Sequence, residues 1–241
     1  MTSIQKKLFG CLCLCSALLL NACSNKAFLR RMQDLEMGIK NPSTVEELQT
    51  AIKKYDDKIN TILLAQQRIA IWYKMLGQRY MDRKMYKKAL EAFQSALDYY
   101  PENQNIFYQI GVCAGILAKS SLDVPQEEVP EYNRQTYFEL SVDAYKRALE
   151  LDPSYTRAAY ALSVLYVFEL NKPLEAIALL EPIAAKEKKP FETLFVLARA
   201  YFMAGQNERA VAVYDRIIAD TTNAQYRSDA ERNRALVQSS R

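Results

Sequence analysis

The sequence has no histidine at any of its 241 positions. That removes the commonest general base, the usual metal ligand and every Ser–His or Cys–His nucleophile pair. Glycine is nearly as scarce, with six residues against sixteen tyrosines. So few flexible positions argue against a chain rich in tight turns or a Gly-rich phosphate loop, and for helices. Cysteine is sparse where it would matter for the fold. Four of the five precede residue 24, at Cys11, Cys13, Cys15 and Cys23, leaving only Cys113 in the body. One thiol makes no internal disulfide, so that body is held by packing, and Cys113, in an apolar stretch, reads as a small buried hydrophobe. Acidic residues nowhere form a pair that stands apart from ordinary helix-surface patterning. No catalytic residue, cofactor or metal is expected, and the chain reads as a non-enzyme.

What is present begins with an export signal. Lys6 and Lys7 precede an apolar run from Leu8 to Leu20, too short for a comfortable span and suited to a signal h-region. Leu20-Asn21-Ala22-Cys23 follows. This tetrad resembles a lipobox, which implies cleavage after residue 22 and diacylglyceryl attachment at Cys23. Two or three acyl chains suffice for stable anchoring. Ser24 after the cysteine, by resemblance to diderm lipoproteins, implies the periplasmic face of the outer membrane. The rival readings are an uncleaved anchor and a plain secreted protein. Loss of Lys6 and Lys7 takes the formal charge from +4 to +2, with basic residues scattered among acids, which is no nucleic-acid footprint.

The body repeats. Between residues 70 and 103 stand Tyr73, Leu76, Gly77, Tyr80, Ala89, Phe93, Ala96 and Pro101, at positions 4, 7, 8, 11, 20, 24, 27 and 32 of a 34-residue unit. Small residues at 8 and 20 let two antiparallel helices approach, large ones fill the space to the next pair, and the proline stops the second helix. A second unit, 104–155, carries Phe107, Ile110, Gly111 and Ala114, then Ser141, Tyr145, Ala148 and Pro153, with about 18 residues inserted near 119–135. A third, 156–190, carries Leu162, Ser163 and Tyr166, then Ala176 and Leu180 after a one-residue slip. A fourth, 191–223, carries Leu194, Leu197, Ala198, Tyr201, Ala210, Tyr214 and Ile217.

These positions resemble the tetratricopeptide-repeat (TPR) signature. The resemblance implies an all-α, right-handed superhelical solenoid of about four helix-turn-helix repeats, with N-terminal helices over 23–69 and a capping helix over 224–241. Within 23–69, Lys26 to Met37 reads as a short helix. Ser43 and Glu46 read as a capping box for a helix through Leu48, Ile52, Tyr55, Ile59 and Leu63, which joins the first repeat or forms with its predecessor a degenerate repeat.

In this family the first helix of each unit lines a concave groove, with positions 2, 5, 9, 12 and 13 inward. Carried onto this chain, those positions give Lys74, Gln78 and Met81; Tyr108, Val112 and Ile116; Tyr160, Val164, Val167 and Phe168; and Phe195, Arg199, Phe202 and Met203. Such a surface is unusually apolar, and a contiguous apolar patch marks an interaction site unless the insertion or N-terminal helices cover it. It lacks the matched Lys and Asn positions that grip a chaperone C-terminus. The insertion, with Asp123, Glu127, Glu128 and Glu131 among prolines, reads as an exposed acidic loop. The chain is therefore expected to be an envelope lipoprotein adaptor holding a protein or peptide partner, membrane-bound by lipid and without nucleic acid. Its alternatives are a transport accessory binding a small hydrophobic ligand and an outer-membrane or pilus assembly lipoprotein.

Overall fold

Thr44, not Ser43, caps the first helix. Its Oγ1 accepts from Glu47 N at 3.2 Å, and Glu47 Oε2 accepts in return from the backbone of Ser43 (2.9 Å) and Thr44 (3.2 Å). The capping box thus lies one residue beyond its expected place, because Glu47 rather than Glu46 reaches back to the free N–H groups. The same backbone bonds hold the Glu47 carboxyl below the ordinary carboxylate range.

The structure, a computed structural model, describes residues 42–120, 134–188 and 190–240. Cys23, the signal segment, the short helix expected over Lys26 to Met37 and residues 121–133 of the insertion lie outside the described residues. By its contacts the chain divides into two units, Met1–Ala65 and Gln66–Arg241. Every regular element described is helical. The elements are α1 (Val45–Asp82), α2 (Tyr86–Leu97), α3 (Gln104–Ser120), α4 (Arg134–Leu151) and α5 (Thr156–Phe168). They continue with α6 (Pro173–Lys186), α7 (Phe191–Met203), α8 (Asn207–Asp220) and α9 (Ala224–Ser239).

In the first unit, the described residues are the start of α1. No turn interrupts this helix from Val45 to Asp82.

In the second unit the expected small positions are all closed. Gly77, Ala89, Gly111, Ser141, Ser163, Ala176, Ala198 and Ala210 are buried, and Phe93, Tyr145, Leu180 and Tyr214 lie buried opposite them. Tyr73, Tyr80 and Phe107 pack against the same core while keeping one edge in solvent. From α2 onwards the helices pack on their sequence neighbours, and α3 also on α5, α5 on α7 and α7 on α9. The inserted residues lengthen both helices of the second repeat. With 17 and 18 residues, α3 and α4 exceed the 13 and 14 of α5 and α6, so Lys119, Ser120, Arg134 and Gln135 are helical.

Three turns inside repeats share one device. Lys84, Asn171 and Gly205 each adopt positive φ, at 59°, 51° and 72°. Reversal from one helix to its antiparallel partner requires a left-handed residue just past the first helix. Met85 N bonds back to Tyr80 O and Gln206 N to Tyr201 O, each five residues earlier; in the third repeat Lys172 N reaches Tyr166 O, six earlier. That extra residue is the slip read from the spacing of Ala176. At the far end, Asn223 caps α9 by accepting from Gln225 N and Tyr226 N, and Ala230 and Val237 close the core beneath it.

Candidate functional site

α3 and α5 are the first helices of adjacent repeats, and contacts at both ends show that they run side by side in the same direction. At their starts Asn105 Nδ2 donates to Tyr155 Oη (3.1 Å), and the Tyr108 ring meets the Tyr155 ring edge-on at 5.7 Å. At their ends Lys119 Nζ pairs with Glu169 at 3.1 Å, and Arg134 joins from α4 at 3.5 Å. Between these ends lies an open cavity of about 400 Å³. Tyr108 and Tyr160 form its sides, Val112, Ile116 and Val164 its apolar surface, and Ser141 and Tyr145 from α4 contribute behind them.

A close helix approach makes this shape. Ser141 Oγ donates to the Gly111 carbonyl at 2.8 Å, and a Cβ on Gly115 would lie 3.3 Å from that Ser141 Oγ. The absence of side chains at Gly111 and Gly115 brings α4 behind the cavity. Burial raises the Tyr108 hydroxyl above its ordinary pKa, helped by Tyr155 and opposed by Arg157; burial likewise raises Tyr160, with Glu192 and Glu187 adding to it. Both tyrosines are therefore neutral donors at physiological pH. Arg157 stands at the rim. The other charges there are Lys119 and Glu169, which pair with each other.

Of the fourteen inward positions expected from the sequence, nine line one or other of two hollows. Tyr108, Val112, Ile116, Tyr160 and Val164 come together here. Phe168, Phe195, Arg199 and Phe202 line a second hollow of about 260 Å³, closed by Tyr214 and by Asn233, Leu236 and Val237 of the capping helix. The two share no lining residue. Val167 lines neither and is buried at 3% exposure, because it lies one turn beyond Ser163 on the face turned towards the paired helix. Lys74 and Met81 are half-buried and Gln78 is exposed, bonding Asp82 at 3.1 Å. Met203 is half-buried outside both hollows. Sequence reasoning missed Arg157, although position 2 of the third unit carries the signal for it. It also missed the capping-helix residues, for which repeat spacing holds no signal.

The comparisons with known proteins agree with this geometry. Family models described as tetratricopeptide repeat match residues 70–103 and 167–228. A TPR repeat-containing protein of Borreliella burgdorferi is 26% identical over 187 residues, covering 77% of this chain and 78% of that protein. The chain carries tetratricopeptide repeats over those residues. Its fold is likewise that of solved TPR proteins. YrrB, a TPR protein with an unusual peptide-binding site, superposes with a TM-score of 0.55 at 21% identity, over 78% of this chain and 85% of YrrB. A thermophilic TPR protein of Thermus thermophilus gives 0.52 at 18%, over 82% and 97%. PilW, a type IV pilus biogenesis factor, gives 0.52 at 15%, over 69% and 70%. Among the described residues no acidic or cysteine cluster is arranged to hold a metal, and no helix is long and apolar enough to cross a membrane.

Proposed function

We propose that this TPR protein captures a peptide or protein segment in the cavity between α3 and α5, at a membrane surface to which Cys23 tethers it by lipid. The observation that carries the reading is the cavity itself. Five aromatic and aliphatic side chains from two repeats converge on an open space of about 400 Å³, and repeat packing alone does not require large residues there. Neutral tyrosine hydroxyls above an apolar surface suit an extended segment, with side chains in the hollow and main-chain groups at the rim. The peptide-binding site of YrrB and the pilus assembly role of PilW support partner binding by this fold.

The test is capture from native membranes. The detergent-solubilised protein should retain a defined partner, identified by mass spectrometry, and Val164→Asp should lose it while far-UV circular dichroism is unchanged. Capture undiminished by Val164→Asp would refute the site. The volume also suits a small hydrophobic ligand, as in a transport accessory. Lipid extractable from purified protein by organic solvent favours that reading over the adaptor. Anchoring is tested separately. Labelling by radioactive palmitate should depend on Cys23, and labelled protein should fractionate with the outer membrane, as Ser24 implies.

A further inference from the structure

The described start of α1, within the first unit, carries an apolar stripe that is exposed among the described residues. Val45, Leu48, Ile52, Tyr55, Ile59 and Ile62 expose between 38% and 64% of their surface. Their spacings are 3, 4, 3, 4 and 3, so all six lie along one seam of the helix. This 3.5-residue period is that of helices which wind about another helix, not that of a helix lying on a broad core. Five aliphatic side chains and a tyrosine left in water over two and a half heptads require a partner.

We propose that the partner is a second copy of this chain, paired antiparallel through this segment. A two-fold axis between residues 53 and 54 brings all six side chains into mutual contact. Val45 then meets Ile62 of the other copy, Leu48 meets Ile59 and Ile52 meets Tyr55, each twice by symmetry. The flanking charges complement the antiparallel pairing. Antiparallel, Lys53 comes beside Asp56 and Glu47 beside Lys58, again twice each. The six side chains would bury about 500 Å² per copy, roughly 1,000 Å² in all, which reaches the lower bound for a specific interface. Leu63, also exposed, widens the stripe at the end that meets Val45 of the other copy. This pairing does not depend on what the α3–α5 cavity binds.

The test uses the full chain purified from membranes in non-ionic detergent. Sedimentation should give a dimer at micromolar concentration, and Ile52→Asp with Ile59→Asp should give a monomer. Direction is read by thiol cross-linking, in which the buried Cys113 is silent. A mixture of Ile52→Cys and Tyr55→Cys proteins should form the linked dimer in preference to either protein alone. A monomer at every concentration would overturn the proposal, showing the stripe covered by lipid or by the upstream segment. A dimer that survives the double aspartate variant, or one that links through Ile52→Cys alone, would overturn it too. Cross-linking also decides the case in which the aspartates merely unwind the helix.

Discussion

Gly77 and Phe93 face each other so closely that a methyl group on the glycine would come within 2.7 Å of the phenyl ring. The second repeat builds the same contact from Gly111 and Tyr145, where the methyl would come within 2.5 Å. In both, a helix backbone lies flat against a buried ring, with no room for the smallest side chain. Gly77→Ala and Gly111→Ala should each cost about 1–3 kcal/mol by overpacking. Thermal denaturation followed by circular dichroism checks this, and an unchanged midpoint would show that the rings move aside freely.

The left-handed turns predict a stabilising change. Lys84 holds a φ of 59° in the position where Gly205 holds 72° in the last repeat. A side chain in this region costs roughly 1–2 kcal/mol, whereas glycine adds flexibility to the unfolded chain. Lys84→Gly should be neutral or stabilising by up to about 1 kcal/mol, while Gly205→Val should destabilise. Chemical denaturation midpoints at equal slope provide the measurement.

Cys113 is fully buried, and burial pushes its thiol up to about 12. At pH 8 iodoacetamide should leave it unmodified for as long as the domain is folded, and modify it in step with unfolding in urea. Rapid native labelling, read as a mass increase, would contradict the buried placement.

Glu181, Tyr201 and Arg209 tie three helices together. Tyr201 Oη donates to Glu181 at 2.6 Å, Arg209 Nη2 reaches the same carboxylate at 2.7 Å, and the guanidinium lies 4.1 Å over the tyrosine ring. The tyrosine hydrogen bond, followed by Arg209, holds the Glu181 carboxyl below its ordinary value. A depressed carboxylate contributes stability that is present above its unfolded pKa and lost as pH falls through the folded one. Burial, and then the bond to Glu181, raises Tyr201 to about 12, so its contribution is complete below the ordinary tyrosine pKa of about 10 and lost as pH rises towards 12. Glu181→Gln should flatten the acidic fall in melting temperature, and Tyr201→Phe the alkaline one. The acidic effect is small, because Glu181 is largely exposed and screened.

The helices and their pairing were legible because the repeat constrains residue size at fixed intervals. Gly77, Ala89 and Phe93 announce one helix pair by volume alone, and Ala176 even locates the extra residue whose left-handed turn at Asn171 the structure shows. The site was legible only in part. Tyr108, Val112, Ile116, Tyr160 and Val164 converge as their register implies, since that register fixes direction relative to the neighbouring repeat. Val167 does not, because position 12 sits on the boundary between groove and core, and the packing partner decides its side. The division into two hollows depends on Leu236 and Val237, which lie outside the repeat and follow no period. The capping box shifted from Ser43 to Thr44 because two adjacent hydroxyls followed by two adjacent glutamates permit either frame.

From α2 onwards the helices described pack mainly on their first and second neighbours along the chain. Heat or denaturant therefore meets a row of nearest-neighbour couplings, and opening starts from the ends of such a row rather than throughout. The repeats that form the α3–α5 cavity lie in the interior of that row. Amide protons behind Tyr108 and Val164 should accordingly be among the last to exchange, and the proposed binding surface should persist through fluctuations that fray the capping helix.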